Sequence, residues 1–205
     1  MDTVELVLAS GNAGKLAELR ELLDGDGRFT LRAQAEFGVD DVEETGLTFI
    51  ENALLKARHA ARATGLPALG DDSGLCVDAL GGAPGLYSAR FAGVHGDASA
   101  NIDKLLRELD GVAEPRRTAR FVCVLALLRS ADDPQPIVVE GQWHGRILPA
   151  RRGAGGFGYD PVFLDPARGL SAAELDPATK HATSHRGHAL AALRQRLAGE
   201  FAAGA

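Results

Sequence analysis

"VELVLASGNAGKLAELRELL", residues 4–23, decides what kind of fold this chain adopts. Val4, Leu6 and Leu8 alternate along residues 4–9 and share one face, as in a strand. From Gly14 to Leu23, Leu16, Leu19, Leu22 and Leu23 follow helical spacing, and Gly25 stands where a C-terminal cap belongs. The hexapeptide between them, Ser10-Gly11-Asn12-Ala13-Gly14-Lys15, therefore joins a strand to a helix. Such a junction gathers backbone N–H groups and the positive end of a helix dipole at one point, which suits an anion. Ser10 and Asn12 add polar side chains and Lys15 a charge. It is not a P-loop, which requires Gly where Ala9 stands and Ser or Thr where Leu16 stands. The competing reading is an ordinary turn, with Asn12 as helix cap and Lys15 in solvent.

Working outward, Thr48-Phe49-Ile50-Glu51 is a capping box opening a second helix. Ile50, Ala53, Leu54, Ala57 and Ala61 form its apolar stripe, and Gly65 and Pro67 end it. Residues 66–96 are rich in Gly and Pro and read as loops with one short strand around Leu75-Val77. A short helix is expected over residues 101–109 and a central strand in "RTARFVCVLALLRS", 117–130. "PIVVEGQWHGRIL", 136–148, reads as a strand or a pair, and 150–166 as a second Gly-rich loop. Ser184 is placed to cap a last helix carrying Leu190, Leu193 and Leu197. Strands and helices alternate, so the fold class is α/β with a mixed sheet, in a single domain over 1–205.

Bulk composition narrows the function. With 205 residues, 45% hydrophobic and 24% charged, the chain can build a core. A net charge of −6 argues against a nucleic-acid backbone as main partner but permits a single nucleotide. The N-terminus lacks the pattern of a signal peptide, and no apolar run approaches the length of a membrane span, so no membrane partner is expected. Cys76 and Cys123 lie in apolar surroundings and read as buried thiols of a cytoplasmic protein.

Chemistry concentrates in four further places. "GDDSG" sets Asp71 and Asp72 side by side in an expected tight turn, and "VEETG" sets Glu43 and Glu44 before the capped helix. Carboxylates at element ends suit Mg²⁺, and one of them could act as general base. Turn formation and a solvated acidic pair are the plain alternatives. "GGFGYDP" offers Phe157 as a flat platform for a base and Asp160 as an acceptor. A loop whose aromatics fold back onto the core explains it equally well. In "KHATSHRGH", His181, His185 and His188 have helical spacing, but Ser184 and Gly187 suggest a helix start, and no zinc pattern accompanies them. Lys180, His185 and Arg186 read better as donors to a ligand's oxygens, and His59 and His144 as surface or packing residues.

Five blocks taken together carry more than any one. "SGNAGKLAEL", "EETGLTFIENALLKARHAA", "DDSGLCVDALGGAPGLYSARFAG", "GGFGYDPVF" and "SHRGHAL" follow one another between residues 10 and 190. In that combination the chain resembles the inosine/xanthosine triphosphate pyrophosphatases. The resemblance implies a long mixed sheet flanked by helices, two lobes around a central substrate cleft, and a homodimer. It implies hydrolysis of ITP, dITP or XTP to the monophosphate and pyrophosphate, with Mg²⁺. Carried onto this sequence, it makes Ser10, Gly11, Asn12, Ala13, Gly14 and Lys15 the triphosphate loop and Lys56 a second phosphate contact. Glu44 and Asp72 become the metal-linked acids, Asp72 also the catalytic proton acceptor, and Ser73 a substrate contact. Phe157, Gly158, Tyr159, Asp160, Lys180, His185 and Arg186 become the base-binding set. Ser10 departs from the Thr of many members, and either hydroxyl serves. His181 and His188 acquire no role. Two rivals remain at this point: a pyrophosphatase of modified pyrimidine triphosphates, and a nucleotide-sensing module that does not cleave.

Overall fold

The structure is a computed structural model and describes residues 4–23 and 29–202, with side chains at 4–12, 14–20 and 29–197. Gly25 lies outside the described residues, as do the side chains of Leu22 and Leu23. Seven strands hydrogen-bond in the order β2-β1-β3-β4-β5-β6-β7. They are β1 (Val4–Ala9), β2 (Phe29–Ala33), β3 (Ala68–Val77), β4 (Thr118–Leu128), β5 (Ile137–Ile147), β6 (Phe163–Asp165) and β7 (Leu170–Ser171). The helices are α1 (Ala13–Leu23), α2 (Phe49–Thr64), α3 (Ala98–Glu108), α4 (Pro177–Thr183) and α5 (His185–Ala202). β1 pairs in parallel with β2 and β3, whereas β6 pairs antiparallel with β5 and β7, so the sheet is mixed. The α/β expectation is met.

The chain divides into two compact units, residues 1–72, 123–141 and 186–205, and residues 73–122 and 142–185. In the first, alternation along β1 sorts two cores. Leu6 and Leu8 join Leu19 of α1, Leu31 of β2 and Ala189, Leu190, Leu193 and Leu197 of α5. Val7 and Ala9 face the other way, onto Ala60 and Ala61 of α2. A parallel strand covered on both faces is apolar on both faces, as β1 is. The stripe of alanines brings α2 close to the sheet, and Gly70 of β3 sits where a Cβ would run into the Ala53 carbonyl.

Helix α2 has the N-terminus its sequence predicts: the Thr48 hydroxyl accepts from the Glu51 N–H at 3.1 Å. Glu51 Oε2 reaches back one residue further than a standard box, to the Leu47 N–H. Gly65, with φ of 71°, closes the helix. The buried face is Asn52, Ala53, Ala57, Ala60 and Ala61, so Ile50, expected in the stripe, is instead exposed at its edge.

The largest correction concerns "GDDSG". It is no turn: Asp71, Asp72 and Ser73 lie inside β3, a strand of ten residues where only a short one around 75–77 was expected. Turn-forming composition is overridden because both aspartates find cationic partners, described below. β5 is one strand, not a pair. Ser184 separates α4 from α5, its N–H donating to the Lys180 carbonyl at 2.8 Å.

The second unit has its own core, in which α3 contributes Ile102 and Leu105 and the sheet Leu75, Val77, Ala119, Phe121, Trp143 and Ile147. Phe163 lies 4.5 Å from Phe121 and 4.9 Å from Trp143, centroid to centroid. Asp97 caps α3, accepting from the Ala100 N–H at 2.9 Å, so the helix starts earlier than residue 101.

Candidate active site

The first unit holds the loop at residues 10–15. Asn12 Oδ1 accepts from the Lys15 N–H at 3.0 Å and caps α1, while Ser10 Oγ accepts from the Asn12 N–H at 3.3 Å. The polar side chains of the loop thus shape it, and the positive end of α1 follows directly. Asp41 lies against the loop, where a Cβ on Gly11 would meet its carboxylate. Lys15 is not in solvent: its Nζ donates to Asp71 Oδ1 at 2.8 Å.

Adjacent strand residues point to opposite faces, and this separates the two aspartates. Asp71 faces α1 and α5. It is 1% exposed and accepts from Lys15, from Arg186 Nε at 2.9 Å and from the Cys123 thiol at 3.7 Å. Arg186, equally buried, also pairs through Nη1 with Glu18 of α1. Burial alone would push the Asp71 carboxyl up, but the charges of Arg186 and Lys15 overcome it and hold it well below the carboxylate range. The Cys123 thiol is pushed up, by burial first and then by the charge of Asp71. Asp71 is therefore favoured in its charged form by two cations.

Asp72 faces α2. Lys56 Nζ lies 2.7 Å from Asp72 Oδ1, 2.6 Å from Glu44 Oε1 and 3.1 Å from the Asp71 carbonyl oxygen. One ammonium thus serves two carboxylates. Burial raises the Asp72 carboxyl above its ordinary value, with Lys56 and Lys15 opposing and Glu44 adding to the rise. For Lys56, burial pulls down, and Asp72 and Glu44 outweigh it. Ser73 follows in β3, half-buried and within the second unit.

The second unit brings together the other predicted set. Asp160 Oδ2 accepts from the Phe157 N–H and from Lys180 Nζ, each at 2.8 Å. Lys180 Nζ also stands 4.9 Å from the centre of the Phe157 ring, which is 40% exposed. Gly156 has a φ of 72°, and a Cβ there would strike the Asp160 carboxylate. Asp160 thus organises its own loop. Tyr159 is buried, its hydroxyl donating to the Ser88 carbonyl at 2.9 Å, and burial raises its phenol. Gly158, between Phe157 and Tyr159, has a φ of 60°. His185 opens α5 and stacks on Phe121 at 4.8 Å and 14°. Arg186, next in sequence, belongs to the first unit.

Sequence reading missed Glu18 and Asn52. Asn52 precedes Lys56 by four residues, so the two share one helix face, and that spacing is the signal that could have found it. His181 and His188 join no metal cluster: among the described residues no group of three or more His, Cys, Asp or Glu side chains could hold one. Nor is any helix among them long and apolar enough to cross a membrane.

A dITP/XTP pyrophosphatase of Xanthomonas campestris pv. campestris (strain 8004) is 63% identical over 192 residues, 94% of this chain and 96% of that one. One of Thioalkalivibrio sulfidiphilus is 58% identical over 196 residues, 96% of this chain and all of that one. The solved structure of a HAM1 protein from Coxiella burnetii, 50% identical, superposes with a TM-score of 0.89 over 96% of this chain and 100% of that one. The family model described as the Ham1 family matches residues 6–196, and with relatives of this closeness over nearly its whole length the chain belongs to the Ham1 family.

Proposed function

We propose that this chain hydrolyses non-standard purine nucleoside triphosphates (dITP, XTP and ITP) to the monophosphate and pyrophosphate, keeping deaminated purines out of nucleic acid. The observation that carries the proposal is the placement of Glu44 and Asp72 against the single ammonium of Lys56. The names of the close relatives point the same way. Two hard carboxylates converging on one cationic centre fit Mg²⁺, which takes one or two carboxylates and completes its shell with water and phosphate oxygens. Glu44 and Asp72 would hold the ion, and when bound it would neutralise phosphate charge and acidify a water.

The chain's own residues then divide the work. The loop from Ser10 to Lys15 binds the triphosphate at the start of α1. Asp72, with its raised carboxyl, takes the proton of the attacking water. Water oxygen bonds to the α-phosphorus, the bond to the bridging oxygen breaks, and pyrophosphate leaves whole. Lys15 and Lys56 stabilise the charge growing on it. In the second unit, Phe157 is the stacking platform, on a loop built by Gly158, Tyr159 and Asp160, and Ser73 is a further contact. Lys180 and His185 donate to the 6-oxygen of the base. Arg186 is a third proposed donor, its charge also committed to Asp71 and Glu18. Adenine presents an amino group there, leaving the donors unpaired, a mismatch that such sites reject by about 10⁴-fold or more. A homodimer and a cytoplasmic location complete the reading, the second supported by two buried free thiols.

The test incubates the protein and Mg²⁺ with ITP, dITP, XTP, GTP and ATP and separates the products. Inosine or xanthosine monophosphate with pyrophosphate, and little turnover of ATP and GTP, is expected. Orthophosphate release, binding without cleavage, or equal turnover of ATP overturns the proposal. Light scattering reads the oligomeric state.

A further inference from the structure

We infer that Asn52 is a positioning residue that holds Asp72 and the Glu44 loop in one arrangement, a role that rests on the function proposed above. Asn52 lies in the first turns of α2, is 1% exposed, and uses both ends of its amide. Its Nδ2 donates to Asp72 Oδ2 at 3.3 Å, and its Oδ1 accepts from the Gly46 N–H at 2.8 Å. Lys56, one turn along the same face, takes Asp72 Oδ1 and Glu44 Oε1. The helix therefore grips the Asp72 carboxylate by its two oxygens separately, and each gripping residue also holds the segment 44–46.

Only an amide does this. Gly46 N–H needs an acceptor and the Asp72 carboxylate needs a donor, so the two ends of Asn52 have one satisfactory orientation. A carboxylate of the same shape would keep the bond to Gly46 and set a second negative charge against Asp72. Gly46 belongs to the arrangement, since a Cβ there would run into Asn52 Oδ1, at 2.6 Å, and Glu51 Cβ, at 2.7 Å. Lys56 alone leaves the carboxylate of Asp72 free to rotate about one contact. With Asn52 it has two, and the orientation of the oxygen that meets water or metal is set before substrate arrives.

The test compares wild type, Asn52→Ala, Asn52→Asp, Asp72→Asn and the double variant Asn52→Ala/Asp72→Asn. Under saturating Mg²⁺, kcat for ITP is expected to fall about 10²-fold in both Asn52 variants, with KM within about threefold. In the Asp72→Asn background the Asn52→Ala change has a smaller further effect, because only its hold on the Glu44 loop is then left to lose. Mn²⁺ binding without nucleotide, followed by the spin resonance of the free ion, weakens about tenfold or more in Asn52→Ala. Thermal melting of each variant separates these effects from loss of fold, and the near-isosteric Asn52→Asp keeps the test open if the alanine variant misfolds. Wild-type kcat and Mn²⁺ affinity in Asn52→Ala, or an equal fall in both backgrounds, overturns the inference. If Asp72→Asn itself retains full turnover, the catalytic reading of Asp72 fails instead.

Discussion

Two neighbouring acids in one strand take opposite parts because of what surrounds them. Asp71 is locked between Lys15 and Arg186 and stays charged, whereas burial of Asp72 favours uptake of a proton. Arg186 is as buried as Asp71 and pairs with Glu18 as well, so removing it takes a cationic partner from each of two carboxylates. Arg186→Ala is expected to destabilise the protein by about 3–5 kcal/mol, read by urea unfolding, before any effect on selectivity is considered. A loss under about 1 kcal/mol would mean the network is not what holds Asp71. Little of this was legible from the residues. Asp, Ser and Gly are turn formers, and nothing local announces that partners 56 and 115 positions away, Lys15 and Arg186, will neutralise Asp71. The kinds of residue gathered around Asp72 and Asp160, by contrast, were legible, because acidic, basic and aromatic side chains are read directly from the sequence.

At the scale of elements, the best-marked helix was the best read. Thr48, Glu51 and Gly65 do at the ends of α2 what their types dictate. Its contact with β3 was not visible, since it depends on Gly70 meeting the helix backbone. Gly70→Ala drives a methyl group into the Ala53 carbonyl and the Ala57 backbone nitrogen, and should cost about 1–3 kcal/mol, seen as a lower melting temperature. An unchanged melt would show that helix and strand can part freely. The turn between β4 and β5 offers a pH test. Asp133 accepts from Arg129 Nε and Nη2 and from the Arg129 and Gln135 N–H groups, at 2.9–3.0 Å. Those bonds, the Arg129 side chain foremost, hold its carboxyl well below the usual range against burial. A depressed carboxyl contributes stability above its unfolded pKa of about 3.9 and loses it as pH falls toward the folded value. The melting difference between wild type and Asp133→Asn should therefore be full near pH 7 and shrink below about pH 4. A difference independent of pH would contradict the assignment.

For the whole molecule, composition was a fair guide to class, and the strand–loop–helix at residues 4–23 to the α/β fold. The strand order was not legible, because β3 and β4 are neighbours in the sheet with forty residues of turns and helix between them, and pairing across such a gap is decided by packing. The two cysteines give a test at this scale. Cys76 and Cys123 are free and buried. A thiol-specific disulfide reagent should modify neither in the native protein and both after denaturation; fast reaction of the folded protein would show that its interior opens readily.

The strand that carries both acids has a consequence for how this chain can vary. Because side chains alternate, the difference between the surroundings of Asp71 and those of Asp72 in β3 is a matter of parity. The register is set by pairing of Ala68, Leu69 and Gly70 with Val7, Leu8 and Ala9. Inserting one residue between Gly70 and Asp71 would turn each acid to the other's side, sending Asp71 toward α2 and Asp72 toward α5, and deleting Asp71 would put Asp72 in its place. Substitutions along this stretch can be graded in their harm. A change of length by one residue cannot, and a library of single-residue insertions and deletions should show inactivity concentrated there.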